Sequence, residues 1–408
     1  MSTTTEKRGY KYTEEFGYIP EDWEIKNIVK TSSLKARIGW QGLTTAEYLN
    51  DGDYLLVTGT DFDNGKINWN TCFYVEKNRY DQDSNIQIKN GDILITKDGT
   101  IGKVAYIDNL PKPTTLNSGV FVVRPMNEAY NTRYFYYLLQ SNIFISFLNK
   151  LKAGSTIVHL YQKDLSNFDY IMPSDIKEQE KIAEVLGDID SLIDTTQQLI
   201  NKKKDIKTAT MQKLFKISNT TKTDILKNIA NIQRGASPRP IDSPIWFDRN
   251  SNIGWTRISD IKGKYIYSTE QKLSQLGVQN SRYVPIGSLI MSICATLGRP
   301  AITKTELCIH DGFVCFYDIK VDPEYVYYYL QYIQENWKNS GQTGSQANLN
   351  TDLINNTLIP LLDNQKQIAT ILSDMDAEIE ALEKELSKYQ DIKTGMMQEL
   401  LTGKTRLI

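Results

Sequence analysis

The chain repeats itself at a fixed distance, and this constrains its fold more than any other feature. Gln179-Glu180-Lys181-Ile182-Ala183 is answered 186 residues on by Gln365-Lys366-Gln367-Ile368-Ala369. The offset holds without a gap through Leu186/Leu372, Asp188/Asp374, Asp190/Asp376, Ile193/Ile379, Asp205-Ile206-Lys207-Thr208/Asp391-Ile392-Lys393-Thr394, Met211-Gln212/Met397-Gln398 and Leu214/Leu400. Upstream the match continues with small gaps. Gly91-Asp92-Ile93-Leu94-Ile95 resembles Gly287-Ser288-Leu289-Ile290-Met291, Gly102 falls on Gly298, and Tyr134 to Gln140 falls on Tyr325 to Gln331. Gly154-Ser155 matches Gly344-Ser345, and Asp164-Leu165 matches Asp352-Leu353. A duplication of this size predicts two halves of one architecture.

Each half ends in a heptad pattern. In the second, Ile368, Leu372, Met375, Ile379, Leu382, Leu386, Tyr389, Lys393, Met396 and Leu400 step 4-3-4-3, the spacing of a coiled-coil seam. The same register in the first reads Ile182, Leu186, Ile189, Ile193, Thr196, Ile200, Lys203, Lys207, Thr210 and Leu214, apolar up to Ile200 and mostly polar beyond. Pro173 and Pro360 precede the helices and Gly403 follows the second, as helix punctuation requires. Each helix packing on its own domain is one reading; pairing of the two in an antiparallel coiled coil is the other.

The remaining segments hold short β-branched and aromatic runs closed by turn residues, such as Tyr54 to Gly59 and Gly119 to Pro125. The fold class expected is α+β: two tandem α+β domains separated by two long helices forming an antiparallel coiled coil, with an internal pseudo-two-fold repeat. The boundaries expected are 1–172 for the first domain, 173–217 for the first helix, 218–360 for the second domain, and 361–408 for the second helix and tail. If the helices pair antiparallel, Ile182 to Leu214 spans roughly 50 Å at about 1.5 Å per residue, or ~14–15 base pairs at about 3.4 Å each. Two such heads suit two half-sites on one duplex; as the heads differ in sequence, so should the half-sites.

Composition narrows the chemistry. With 408 residues, 47 Lys plus Arg and 49 Asp plus Glu, the chain has room for several cores but lacks the basicity of a simple electrostatic nucleic-acid binder. The domains are balanced as well: 19 basic and 20 acidic side chains over 1–174, 14 and 12 over 218–360. DNA contacts must then be local. Two histidines and four cysteines without a C-x-x-C pair argue against a zinc site or a disulfide framework. No apolar run reaches membrane-span length and Met1 to Glu15 is polar, so a cytoplasmic protein without membrane association is expected.

Several segments imitate catalytic motifs. Gly99-Thr100-Ile101-Gly102-Lys103 looks like the end of a phosphate loop, but Lys97 and Val104 stand where that loop has Gly and Ser/Thr. A tight strand-to-strand turn, shared with Thr296-Leu297-Gly298-Arg299, and a turn that offers Lys103 or Arg299 to a phosphate are both compatible. Asp175 in Pro173-Ser174-Asp175-Ile176-Lys177 reads as a helix cap rather than a nuclease carboxylate, and the chain has no adenine-methyltransferase box. The aromatic runs Tyr134 to Tyr137 and Tyr325 to Tyr329 fit a packed helix, with base stacking as the alternative. His159 and His310 read as ordinary domain residues.

The candidate DNA contacts are Arg37, Trp40, Gln41, Lys97, Thr100 and Lys103 in the first domain, and Arg234, Arg239, Trp255, Arg257 and Arg299 in the second. From Arg234 to Lys264 six basic residues stand against three acidic ones, interleaved with Trp246 and Trp255. Arg and Gln read guanine and adenine edges bidentately, whereas Lys and Ser/Thr hold phosphates.

The order of these elements, repeated once, resembles the specificity subunit of type I restriction-modification systems. The resemblance covers nearly the whole chain. It is carried by the helices ending in Met211-Gln212-Lys213-Leu214-Phe215 and Met397-Gln398-Glu399-Leu400-Leu401, and by the openings Arg37 to Leu43 and Ile232 to Pro238. It implies a non-catalytic chain whose two recognition domains read a bipartite asymmetric target on double-stranded DNA, with the helices setting the spacer. It also implies partners: two DNA methyltransferase subunits using S-adenosylmethionine, and restriction/translocase subunits using ATP and Mg. A methylation-only or other defence complex, or a coiled-coil scaffold with two protein-binding heads, are the alternatives.

Overall fold

The structure is a computed structural model describing residues 8–154, 159–340 and 349–407. The chain divides into two compact units, residues 1–196 with 385–408, and residues 197–384. Each half of the sequence passes through a buried aromatic helix and then a long one. These are α1 (Thr132–Gln140), α2 (Asn142–Gly154) and α3 (Ile176–Leu214) in the first half, then α4 (Pro323–Ser340) and α5 (Gln365–Leu400) in the second. The units divide the long helices across the middle, so each contains one end of α3 and one end of α5. The reason is packing: Ile182, Ala183 and Leu186 share a core with Leu400 and Leu401, and Met211 and Phe215 share one with Ile368, Ala369 and Leu372.

In the first unit β1 (Ser32–Lys35), β2 (Ile93–Thr96), β3 (Val104–Tyr106) and β4 (Val120–Pro125) form an antiparallel sheet in the order β3-β2-β4-β1. Strand alternation gives this sheet two buried faces. Ile93, Ile95, Phe121 and Val123 point into the core of α1, while Leu94, Val120 and Val122 point into a second core under a smaller sheet. There Thr114–Leu116 runs parallel to Tyr54–Val57, which pairs antiparallel with Phe73–Val75. This explains why Ile93 to Thr96 is buried throughout, in the manner of a strand covered on both sides.

The second unit repeats the scheme with one strand added. β5 (Asn231–Arg234), β6 (Tyr265–Ile266), β7 (Leu289–Ser292), β8 (Pro300–Thr303) and β9 (Phe313–Tyr317) lie in the order β5-β9-β7-β8-β6. Leu289, Met291, Val314 and Phe316 face α4, whereas Ile290, Phe313 and Cys315 face the smaller core. Here too a parallel pair, Gly254–Thr256 with Leu307–Ile309, builds the small sheet. Thr223 begins a short strand paired with Leu358–Pro360.

The aromatic runs are packed helices. Tyr134 to Leu139 of α1 and Tyr325 to Leu330 of α4 are all buried, and both helices are capped alike, by Asn131 accepting from Tyr134 N and Asp322 accepting from Tyr325 N. The Gly99 to Lys103 segment is the tight β2–β3 turn. Thr96 Oγ1 accepts from Lys103 N and Gly102 N donates to Thr96 O; Ser292 and Gly298 repeat both bonds in the second unit. Gly102 and Gly298 have φ of +86° and +70°, and a Cβ on either would meet Leu148 or Trp337. Glycine at this place is a backbone requirement. Asp175 caps α3 by accepting from Lys177 N. Ser155, Gly344 and Ser345 lie outside the described residues.

Every register position of both heptad patterns is buried or half-buried. Within the second unit Lys203 pairs with Glu378 and Lys207 with Asp376: one number rises as the other falls, so the segments run antiparallel. The polar turn of the seam after Ile200 is thus filled by ion pairs rather than by a poorly fitting partner.

Candidate nucleic-acid interface

Arg37 leaves the end of β1 and turns inward. It is 1% exposed, and its guanidinium donates to Leu116 O (2.8 Å), Gln82 Oε1 (2.9 Å), Arg79 O (3.1 Å) and Thr115 Oγ1 (3.1 Å). Burial and the neighbouring Arg79 charge lower its pKa, which is the cost of using a charged fork as an internal brace. Gln41 is buried beside it, its backbone carbonyl taken by Arg79 and its Oε1 without a hydrogen-bond partner. Trp40 belongs to the same short turn, Gly39–Gln41, and its side chain lies outside the described residues. The expectation that Arg37 and Gln41 present themselves to bases is therefore corrected: both are interior groups that shape the loop above them.

The β2–β3 turn behaves differently. Thr100 and Lys103 are exposed, and Lys97 is half-buried, its ammonium 5.4 Å from the centre of the Phe121 ring. Asp98 beside it holds His159 Nδ1 at 2.6 Å. Lys97, Thr100 and Lys103 thus gather on one rigid turn, apart from Arg37 and Gln41.

In the second unit the cations collect around the turn after Leu307–Ile309. Asp311 is the organiser. Its carbonyl accepts from Arg234 Nε (2.7 Å), and its carboxylate accepts from Ser237 Oγ (2.8 Å) and Arg239 Nη2 (2.7 Å). Burial would raise this carboxyl, but the Ser237 hydroxyl and the Arg239 charge prevail and hold it below its usual range. Arg234 and Arg239 remain exposed. Arg257 is half-exposed, braced by Gln271 Oε1 at 3.0 Å, with its guanidinium 5.9 Å from the Trp255 ring. Neighbouring His310 is pushed down, first by burial and then by the Arg257 charge.

Trp255 is a second correction. It is fully buried against Leu273 and Cys308, because alternation on Gly254–Thr256 sends it into the small core, so it supports Arg257 and has no free face for a base. Trp246 is likewise 9% exposed, with Nε1 donating to Pro240 O. Arg299 lies elsewhere, in a cleft of about 1030 Å³ lined also by Lys262, Lys264 and Tyr327. Sequence reasoning missed Asp311, which is distant in sequence from Arg234 and Arg239, and Arg282, which donates to Gln233 and the Arg234 carbonyl. No local pattern marks either.

Among the described residues no group of His, Cys, Asp and Glu could hold a metal ion, and no helix is long and apolar enough to cross a membrane. The four cysteines are free.

Both halves, each an α+β head followed by a seam helix, match one known family. Residues 20–204 and 219–388 match the type I restriction modification DNA specificity domain, and the chain belongs to that family. Its relatives include a putative type I restriction enzyme MjaX specificity subunit from Methanocaldococcus jannaschii, 26% identical over 98% of this chain and 97% of the relative. The MjaVIII specificity subunit from the same organism is 24% identical over 95% of this chain and 94% of its own length. The crystal structure of the S subunit of a type I system from M. genitalium has the same fold, with a TM-score of 0.59 at 15% identity over 96% of this chain and 98% of that one.

Proposed function

We propose that the chain is the non-catalytic DNA sequence-specificity subunit of a type I restriction-modification complex. Each head reads one half of a bipartite, asymmetric target on double-stranded DNA, and the long helices set the spacer between the halves. The observation that supports this best is the duplication itself: the family match covers both halves, and the two heads share one sheet order while differing in the residues on their turns. The contacting groups are Lys97, Thr100 and Lys103 in the first head and Arg234, Arg239, Arg257 and Arg299 in the second. Lys and Thr suit phosphates and the arginines suit guanine edges. Arg37 and Gln41 brace the interior of the first head, and Trp255 supports Arg257.

Adenine methylation and DNA cleavage belong to partner subunits in this reading. Two methyltransferase subunits supply S-adenosylmethionine chemistry, and restriction/translocase subunits supply the chemistry of ATP and Mg. The complex works in the cytoplasm. They also supply the positive surface that a chain of net charge -2 lacks.

The test is binding by the chain together with its methyltransferase partner, read by fluorescence anisotropy on duplexes at several salt concentrations. Tight, salt-dependent binding confined to one bipartite sequence is expected. Arg257→Ala should weaken binding by about 1–3 kcal/mol on changes to one half-site only; equal weakening on unrelated duplexes would make Arg257 a phosphate contact. Methyl transfer or cleavage by the purified chain alone would contradict the proposal.

A further inference from the structure

Three lysines stand at seam positions of the long helices, Lys203, Lys207 and Lys393, and two of them, Lys207 and Lys393, are engaged in the same way. In the second unit Lys207, 9% exposed, donates to Asp376 Oδ1 at 2.6 Å and to Gln331 Oε1 at 2.9 Å, and lies 5.2 Å from the centre of the Tyr328 ring. Tyr328 donates its hydroxyl to the other oxygen of Asp376 at 2.8 Å. In the first unit Lys393 pairs with Asp190 Oδ1 at 2.7 Å and lies 5.5 Å from the Tyr137 ring, while Tyr137 donates to Asp190 Oδ2 at 2.8 Å. Each cluster joins three elements of its own unit: the head helix (α1 or α4), α3 and α5.

An apolar heptad seam is degenerate, because a slip of seven residues sets like against like; a polar group on the seam selects one register at some cost in stability. The sequence shows how well these lysines select. One heptad from Asp376 stand Ala369 and Glu383, and one heptad from Asp190 stand Ala183 and Gln197. Only Glu383 could replace a lost carboxylate for Lys207, and the same slip would leave Lys393 with Gln197. In neither direction do both ammonium groups keep an anionic partner.

We propose that the Lys207–Asp376–Tyr328 and Lys393–Asp190–Tyr137 clusters are register keys, positioning residues that fix each head on the paired helices and so set the spacer length of the DNA target. This rests on the reading of the chain as a specificity subunit whose helices space two half-sites. The keys touch no base, so they govern the spacing and leave the half-site sequences alone. A cluster needed only for stability would change the amount of active complex and not the spacing it accepts.

The experiment is co-expression with the partner methyltransferase in a host free of adenine methylation, with methylated adenines mapped across the genome. The chains compared are the unaltered one, Lys207→Met, Lys393→Met, and the exchange Lys207→Asp with Asp376→Lys. The expected result is one spacer length for the unaltered chain. For either methionine variant the half-sites stay the same, while methylation at spacers about three base pairs longer or shorter, the displacement of one heptad slip, rises about tenfold relative to the cognate spacing. The charge exchange should return the distribution toward a single length. Unchanged spacing in both methionine variants would overturn the proposal. So would loss of methylation at every spacing in all variants, the exchange included. An unaltered chain that yields no bipartite motif would overturn the specificity reading itself, and the keys with it.

Discussion

Arg406 shows how a single side chain closes the first unit. Its guanidinium donates to Glu178 at 2.5 and 2.8 Å and to Asp22 at 2.9 and 2.7 Å, and lies 5.9 Å from the buried Trp23 ring. Trp23 Nε1 also donates to Glu178 at 3.3 Å, a carboxylate only 4% exposed. Removing the arginine leaves that charge with one weak donor, so Arg406→Ala should cost about 2 kcal/mol in urea unfolding; a loss near zero would show the tail to be dispensable. The buried phenols carry a pH dependence. Burial raises the Tyr329 hydroxyl to about 12, partial burial with the Glu324 carboxylate raises the half-buried Tyr265 to about 12, and burial raises Tyr137 and Tyr328 further. These groups stay protonated in the folded chain where the unfolded chain has begun to ionise. Their stabilisation is therefore whole below the ordinary phenol value of 10 and is lost as pH rises from 10 through 12. Tyrosinate absorbance and loss of ellipticity should rise together in one alkaline transition; ionisation without unfolding would contradict this. None of these partners is legible in the sequence. Glu178 and Arg406, like Asp190 and Lys393, are far apart along the chain, and only the fold joins them.

At the scale of elements the sequence is far more informative. The 4-3-4-3 step located both long helices and their seam, and the recurrence of Tyr134 to Gln140 at Tyr325 to Gln331 identified α1 and α4 as packed helices. The seam turns polar after Ile200 in the first helix, and periodicity reports that polarity but not the partners of Lys207 and Lys393. The binding candidates fared unevenly for a similar reason. A run of Arg, Gln and Trp signals function only if it faces outward, and whether Arg37 or Trp255 does so depends on strands that contact it from elsewhere in the chain. The helices carry the spacing prediction. Seven residues keep the seam in phase and lengthen a helix by about 10 Å, about three base pairs of DNA. Inserting one heptad after Ile200 and another after Leu382 should therefore lengthen the preferred spacer by about three base pairs, with both half-sites the same. An altered half-site at constant spacer would sink the ruler.

For the whole molecule, duplication is the organising fact. Both units build the same four-strand order and the same parallel pair in the smaller sheet, each from its own sequence, and each completes its core with one end of either long helix. A head therefore cannot be cut from the chain at the helix boundary without losing core residues such as Ile182 and Leu186, or Leu400 and Leu401, from the first unit. This arrangement fits a chain that carries two different readers on one scaffold and leaves the chemistry to its partners. The most direct test is to express the chain with the methyltransferase partner proposed for it in a methylation-free host and map every methylated adenine. The account predicts one bipartite, asymmetric motif with a fixed spacer, present only when this chain is present. Methylation that is absent, independent of the chain, or confined to a single undivided sequence would contradict it.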